Sequence, residues 1–363
     1  MKVLIVNPIL YTNENRNIKK VNTIKDTMIY DLCLAFKKKG CDVTLAASDL
    51  YKPSENESYP FNIIWMRTRC TKLFPPHTLP YCPEVKKIAK SGNFDLIITS
   101  EVFSLNSLKL ALCTLKNLIV WQELGKHNRI FHGLASKFWY GIIAKIGFKK
   151  ALIVARSVQA REFISKYCKN VSDTIIDHGV NIEKFTPCRE KDNQFAISSQ
   201  LISRKHIEKS IEAFAKYLNK YDDSAKLYIM GDGDEKENLC KLAKDLGADK
   251  NIIFTGKLGH NELIEILKKS IAMLVYTEKD NNMVSIVESI ALATPVITTD
   301  IPYNASYIKA EKLGIVNNNW NENDLRKLAT SDEYINNCMN YRKYLPTEYK
   351  AEQFLKLFSG EKR

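Results

Sequence analysis

Short apolar runs alternate with longer amphipathic stretches along most of the chain. Lys2 to Val6, Asp42 to Ala47, Asp95 to Thr99, Leu118 to Trp121 and Ala151 to Val154 are strand-like, mostly apolar runs. Such runs suit strands buried on both faces of a parallel sheet, with the intervening stretches as covering helices. Thr23 to Gly40 reads as one of these helices: Ile24, Met28, Leu32 and Phe36 recur one turn apart, and Gly40 is a stop signal. A second series begins after Pro187. Strands are predicted at Phe195 to Ser198, Lys226 to Met230, Asn251 to Thr255, Ala272 to Tyr276 and Pro295 to Thr299. Helices are predicted near His206 to Tyr221, Lys236 to Leu246, Asn261 to Ser270 and Val284 to Ala293.

The turn-rich stretch Ile175-Ile176-Asp177-His178-Gly179-Val180-Asn181, followed by Phe185 and Pro187, interrupts the alternation and is read as a linker. The predicted fold class is therefore α/β, with two Rossmann-like domains at 1–180 and 181–345 and a final helix at 346–363. Ligands of open α/β sheets bind beyond the carboxyl ends of the strands, so two such domains facing each other are expected to form a cleft. A length of 363 residues agrees with two domains.

Composition narrows the class. At 45% apolar and 26% charged residues the chain is an ordinary folded protein, not a disordered or repeat one. The first residues read as a buried strand rather than a signal peptide, and no apolar run approaches the roughly 20 residues that cross a bilayer. A cytoplasmic location, extending to the inner face of the membrane, is the expectation. Nine scattered cysteines without Cys-x-x-Cys spacing argue against a disulfide framework or a zinc site. The sequons at Asn56, Asn170 and Asn304 then carry no weight. A formal charge of +13 favours anionic partners: nucleotides, phospholipid surfaces or nucleic acid.

Two segments concentrate candidate chemistry. Asp280-Asn281-Asn282-Met283-Val284-Ser285-Ile286-Val287-Glu288 sets two carboxylates at the ends of a loop that opens a helix. The free amides near Asn282, Met283, Val284 and Ser285 suit sugar hydroxyls or phosphate oxygens, and Glu288 can accept a pair of ribose hydroxyls. Ser198-Ser199-Gln200-Leu201-Ile202-Ser203-Arg204-Lys205 places adjacent cations at a strand end, apt for a diphosphate leaving group. A solvent-facing Asp, an ordinary helical Glu and a solvated basic turn would leave the same residues.

The wider pattern resembles glycosyltransferase family 4, the retaining GT-B enzymes, over residues 175 to 300. That family has an acidic pair separated by seven residues, followed by an Ala-rich helix and a Thr-Pro-Val strand, here Thr294-Pro295-Val296. The resemblance implies that Asp280 touches the transferred sugar, that Glu288 holds the ribose, and that Lys205 is the phosphate-binding lysine. Gln200 stands where Arg is usual, and Arg204 is read as supplying the missing charge. Asp280 stands where Glu is usual. Gly231, in Gly231-Asp232-Gly233, and Lys257, after Gly256, match two further loops around the nucleotide. The implied donor is a UDP- or GDP-linked sugar and the acceptor a glycan or lipid-linked glycan, in bacterial surface polysaccharide synthesis, with no cofactor and no metal. The Asp232-Gly233-Asp234 triplet is read as a turn.

In the first half, Glu101 and Glu123 each follow a strand where family members carry a cleft-facing His, and are candidates to bind the acceptor or take its proton. His127 is a third. Leu124 to Arg161 contains no acid but includes Lys126, Arg129, Lys137, Lys145, Lys149, Lys150, Arg156 and Arg161, and Phe138, Trp139, Ile142, Ile143 and Ile146 are read as one helical face. This helix, within residues 126–150, either meets an anionic membrane surface or packs on its own sheet. Rival functions are a GT-B nucleotide-sugar epimerase, a scaffold with a dead site, and a nucleic-acid-binding protein. No recognition motif supports the last.

Overall fold

The computed structural model describes residues 1–11, 18, 21–113, 117–128 and 133–360. Arg129 and most of the polar, Gly-free stretch Leu10 to Lys19 lie outside them. The chain divides into two compact units, Met1–Gly179 with Thr347–Arg363, and Val180–Pro346.

Among the described residues of the first unit, six parallel strands are ordered β3-β2-β1-β4-β5-β6. They are β1 (Lys2–Val6), β2 (Asp42–Ser48), β3 (Asn62–Met66), β4 (Leu96–Ser100), β5 (Leu118–Gln122) and β6 (Leu152–Ala155). Both faces of the sheet are buried. Val3 and Ile5 of β1 pack with Leu32 and Phe36 on one side. Leu4 and Val6 pack with Tyr140 and Phe148 on the other. This two-residue alternation within the apolar run Val3 to Val6 marks a sheet covered on both sides.

The second unit repeats the plan with β7 (Gln194–Ser198), β8 (Lys226–Met230), β9 (Ile252–Gly256), β10 (Ala272–Leu274), β11 (Val296–Thr298) and β12 (Gly314–Val316), ordered β12-β11-β10-β7-β8-β9. Its strands are also parallel. The predicted α/β class is the observed one. Strands β3 and β12 were absent from the sequence reading. Both are edge strands: β12 is only three residues long, and β3, although Ile63 to Met66 is apolar, is mostly half-buried.

Two local features depart from the sequence reading. The helix expected from Thr23 begins at Met28 and runs to Lys38, because the Thr27 hydroxyl caps it by accepting the Tyr30 amide at 3.4 Å. Ile24 is fully buried nonetheless, in the preceding turn. The helix Thr347–Ser359 packs on Met28–Lys38, with Phe36 and Phe354 ring centroids 6.2 Å apart and Lys38–Glu348 and Lys39–Glu352 pairs at 2.8 and 2.9 Å.

The second departure concerns the basic helix. It consists of an α-turn Leu134–Phe138, a wider π segment Trp139–Ala144 and a last turn Lys145–Gly147. Its apolar residues do not share one face. Trp139 turns toward the body of the unit, donating Nε1–H to the Val102 carbonyl at 2.9 Å and meeting the Phe103 ring at 5.3 Å. Phe138, Ile142 and Ile146 are exposed.

Candidate active site

In the second sheet the strand order reverses between β7 and β10, so the loops that follow these two strands diverge and leave a crevice at the carboxyl edge. Both candidate segments lie there. The first runs from Ser199 through a 3₁₀ turn, Ser203–Lys205, into the helix Ile207–Lys220. The second follows β10 and leads into the helix Val284–Ala291.

The structure brings Arg204, Lys205 and Asp280 together. Lys205 Nζ donates to Asp280 Oδ2 at 2.8 Å and Arg204 Nη1 to Oδ1 at 3.3 Å. Thr277 Oγ1 donates to the same carboxylate at 2.6 Å. Backbone bonds close the cluster, from Arg204 Nη1 to the Lys279 carbonyl and from the Glu278 amide to the Arg204 carbonyl. The result is two cations and one anion held on crossed loops, with net positive charge beside a helix N-terminus. A cavity of about 10 Å³ is lined by Ser199, Lys205, Tyr276 and Met283, so the second segment approaches the first again one residue before the helix.

The helix Val284–Ala291 starts without a side-chain cap, its N-cap Met283 being extended. Met283 is fixed from behind by Asn304, a buried residue whose Oδ1 accepts the Met283 amide at 2.6 Å and whose Nδ2 donates to the Tyr307 hydroxyl at 2.7 Å. The first-turn amides of Val284 and Ser285 thus sit at the positive end of the helix, the arrangement that attracts anionic oxygens. Asn282 lies on the same loop. Glu288 projects elsewhere, its Oε1 being 3.1 Å from His260 Nε2 at the start of the helix His260–Lys269.

Gly231 has a packing reason for its identity. With φ at +154°, a Cβ there would overlap the Ser199 carbonyl, so only glycine lets the β8 loop rest on the β7 loop. Gln200 is exposed on that β7 loop, and Lys257 is exposed after β9.

In the first sheet the order reverses between β1 and β4, and Glu101 follows β4 in a left-handed conformation with φ at +65°. That conformation turns its carboxylate back across β5, where Oε1 accepts the Glu123 amide at 2.7 Å. Arg156, after β6, donates Nη1–H to Glu123 Oε2 at 2.9 Å and stacks its guanidinium 3.7 Å from the Trp121 ring centroid. His178 Nε2 lies 3.2 Å from the same Nη1 and 3.8 Å from Glu123 Oε2.

The two carboxyls respond oppositely. Burial, joined by the Glu123 charge and opposed by Arg156, pushes Glu101 up to about 7. Burial also works to raise Glu123, but His178 and Arg156 outweigh it and hold that group down at about 2. Glu101 can therefore exchange a proton near neutrality, while Glu123 stays ionised as the anchor of Arg156. His127 is engaged away from this cluster, with Ser136 Oγ at 3.0 Å and the Tyr167 hydroxyl at 3.1 Å.

Residues 181–341 match the family model of glycosyl transferases group 1. The match covers nearly all of the second unit, the one that carries Arg204, Lys205 and Asp280. Among curated proteins the chain is similar to the alpha-monoglucosyldiacylglycerol synthase of Streptococcus pneumoniae, 26% identical over 66% of this chain and 59% of that synthase's length. Among solved structures it resembles WaaG, a glycosyltransferase involved in lipopolysaccharide biosynthesis, at 14% identity and a TM-score of 0.61, with 99% of this chain and all of WaaG covered. It also resembles Anabaena Alr3699/HepE in complex with UDP, at 11% identity and a TM-score of 0.66, again over 99% of this chain and 100% of the other. The fold is that of the GT-B glycosyltransferases, and the family match and the synthase support a glycosyltransferase.

Sequence reasoning passed over four residues that shape these loops: His206, His260, Asn304 and Arg156. His206, in the left-handed region at φ +42°, sits between Glu208 at 2.7 Å and Glu278 at 2.8 Å and so ties the β7 and β10 loops together. The first of these contacts raises its pKa above the ordinary histidine value. An Asn directly before a helix, Ala305–Ala310, was the signal available for Asn304. Arg156 was noted only as part of a positive stretch. Among the described residues, no group of three or more His, Cys, Asp or Glu side chains could hold a metal ion.

Proposed function

We propose that this chain is a retaining glycosyltransferase of family 4 that moves a hexose-type sugar from a UDP- or GDP-linked donor to a hydroxyl of a glycan or lipid-linked glycan, in the synthesis of a bacterial surface polysaccharide or glycolipid. The observation that carries the reading is the cluster of Arg204, Lys205 and Asp280 at the switch point of the second sheet, next to the uncapped start of Val284–Ala291.

Breaking the bond between the anomeric carbon and a diphosphate oxygen leaves negative charge on that oxygen. Arg204, Lys205 and the Val284 and Ser285 amides are fixed donors for this charge, in place before the reaction and needing no reorganisation. The positive charge comes from the chain itself, so the reading includes no metal. Asp280 orients the two cations and is placed to accept a sugar hydroxyl. Glu288 is assigned to the ribose, with His260 setting the carboxylate's position. The donor role belongs to the second unit and the acceptor role to the first, where Glu101 is the group suited to take the acceptor proton.

Nucleotide-dependent melting tests the donor site. A ligand that binds only the folded state at a hundred times its Kd stabilises by about 2.7 kcal/mol. UDP or GDP should raise Tm, unchanged by EDTA, and Glu288→Ala should remove the rise. Equal melting with and without UDP, GDP and ADP would overturn the reading.

A further inference from the structure

The basic helix of the first unit leaves a line of apolar side chains without cover. Leu134, Phe138, Ile142 and Ile146 are 68, 59, 50 and 64% exposed, whereas Tyr140, Ala144 and Phe148 on the opposite side are buried. Residues four apart drift around a regular 3.6-residue turn. The wide π segment Trp139–Ala144 reduces that drift and keeps the exposed residues closer to a single line. The line spans about 18 Å at 1.5 Å per residue, long enough to lie along a surface.

Beside it is a groove of about 830 Å³ with Lys145, Lys149, Lys166 and Lys169 on its walls and Ile146 at its lip. Among the described residues these four lysines, together with Lys137 and Lys150, form no ion pair with a carboxylate. Acids are sparse nearby: Leu124 to Arg161 has none, Asp173 faces Arg161 at 3.7 Å, and Glu162 is the first acid reached after that stretch.

From these observations we infer that Leu134, Phe138, Ile142 and Ile146 insert into an anionic lipid bilayer while the lysine groove receives the phosphate of a lipid headgroup. Apolar side chains aligned on one side of a helix with cations along its flank fit the boundary between headgroups and acyl chains. The unpaired lysines supply the complementary charge. A soluble anion would satisfy the groove and leave the apolar line in water, whereas an anionic bilayer satisfies both. The inference stands apart from the transfer chemistry, because none of these residues belongs to either carboxyl-edge cluster.

Flotation of the full chain with phosphatidylcholine vesicles, with and without phosphatidylglycerol, is the test. Binding is expected only with phosphatidylglycerol and should weaken as salt is raised. Each lysine lost should cost about fivefold in partitioning, so Lys145→Gln with Lys149→Gln, or Lys166→Gln with Lys169→Gln, should cost about 25-fold. Phe138→Ser with Ile142→Ser should cost about tenfold or more. Lys241→Gln with Lys244→Gln, exposed in the second unit, should change nothing, which separates the patch from the net charge. Equal melting temperatures would show that the variants fold. Failure to float, or an equal loss in the control pair, overturns the inference. So does self-association abolished by the serine pair in a chain that ignores vesicles, which would assign the face to a second copy.

Discussion

Glu101 and Glu123 end neighbouring strands, yet one holds its proton toward neutrality and the other gives it up in strong acid. The difference lies in their partners. Glu123 has a guanidinium at 2.9 Å, whereas Glu101 accepts a backbone amide and faces the Glu123 charge. The stability consequences have opposite signs. Against an ordinary value of 4.5, Glu101 at about 7 means that the folded state holds more proton, so its contribution falls as pH rises from 4.5 to 7. Glu123 at about 2 contributes stability above 4.5 that is lost as pH falls toward 2. Glu101→Gln should therefore flatten the decline between pH 5 and pH 8, a change on the order of 2 kcal/mol by urea denaturation. Glu123→Gln should instead destabilise throughout that window by leaving Arg156 buried against a neutral group. If both variants shared one pH slope, the division of roles would fail. Both carboxylates could be nominated from their place after strands. Which one titrates could not, since Arg156 is 33 residues from Glu123 and His178 belongs to the linker.

At the scale of elements, periodicity revealed most of what the sheets are made of. Central strands such as β1, β4 and β5 are covered on both faces and so are apolar over most of their length. The apolar run Ile63 to Met66 of the edge β3 carries that signal and was passed over, whereas the edge β12, three half-buried residues, carries little of it. The π segment left no local trace either, because one extra residue per turn is a response to packing: Trp139 turns inward while Phe138 stays out. The site was legible as two separate loops. Their meeting was not, since Lys205 and Asp280 are 75 positions apart and only the reversal of strand order brings them together. Gly231 tests how closely these loops are coupled. Gly231→Ala puts a methyl group against the Ser199 carbonyl, so the β8 and β7 loops must separate or strain by about 1 to 3 kcal/mol. The expected outcome is a lower Tm together with weaker UDP or GDP binding by calorimetry. Lower stability with unchanged affinity would show that the β7 loop does not depend on this contact.

For the whole molecule, assigning the donor to one unit and the acceptor to the other makes the two contributions separable by experiment. In the proposed reaction Arg204 and Lys205 act on the leaving diphosphate, a step required whether the sugar passes to water or to an acceptor. In the same proposal Glu101 acts on the acceptor hydroxyl alone. Lys205→Ala should thus lower both slow donor hydrolysis and transfer, by about 10² to 10³-fold, the usual effect of deleting one fixed donor to a developing oxyanion. Glu101→Gln should lower transfer by about 10² to 10⁴-fold while sparing hydrolysis. Magnetic resonance of the product in the same assays reports the anomeric configuration, with retention expected. A nucleotide-sugar epimerase would behave differently, because the wild-type chain would release a new free sugar from donor alone and added acceptor would not redirect it. Equal loss of hydrolysis and transfer in Glu101→Gln would remove that carboxylate from the acceptor step and leave it a structural part of the first sheet's edge.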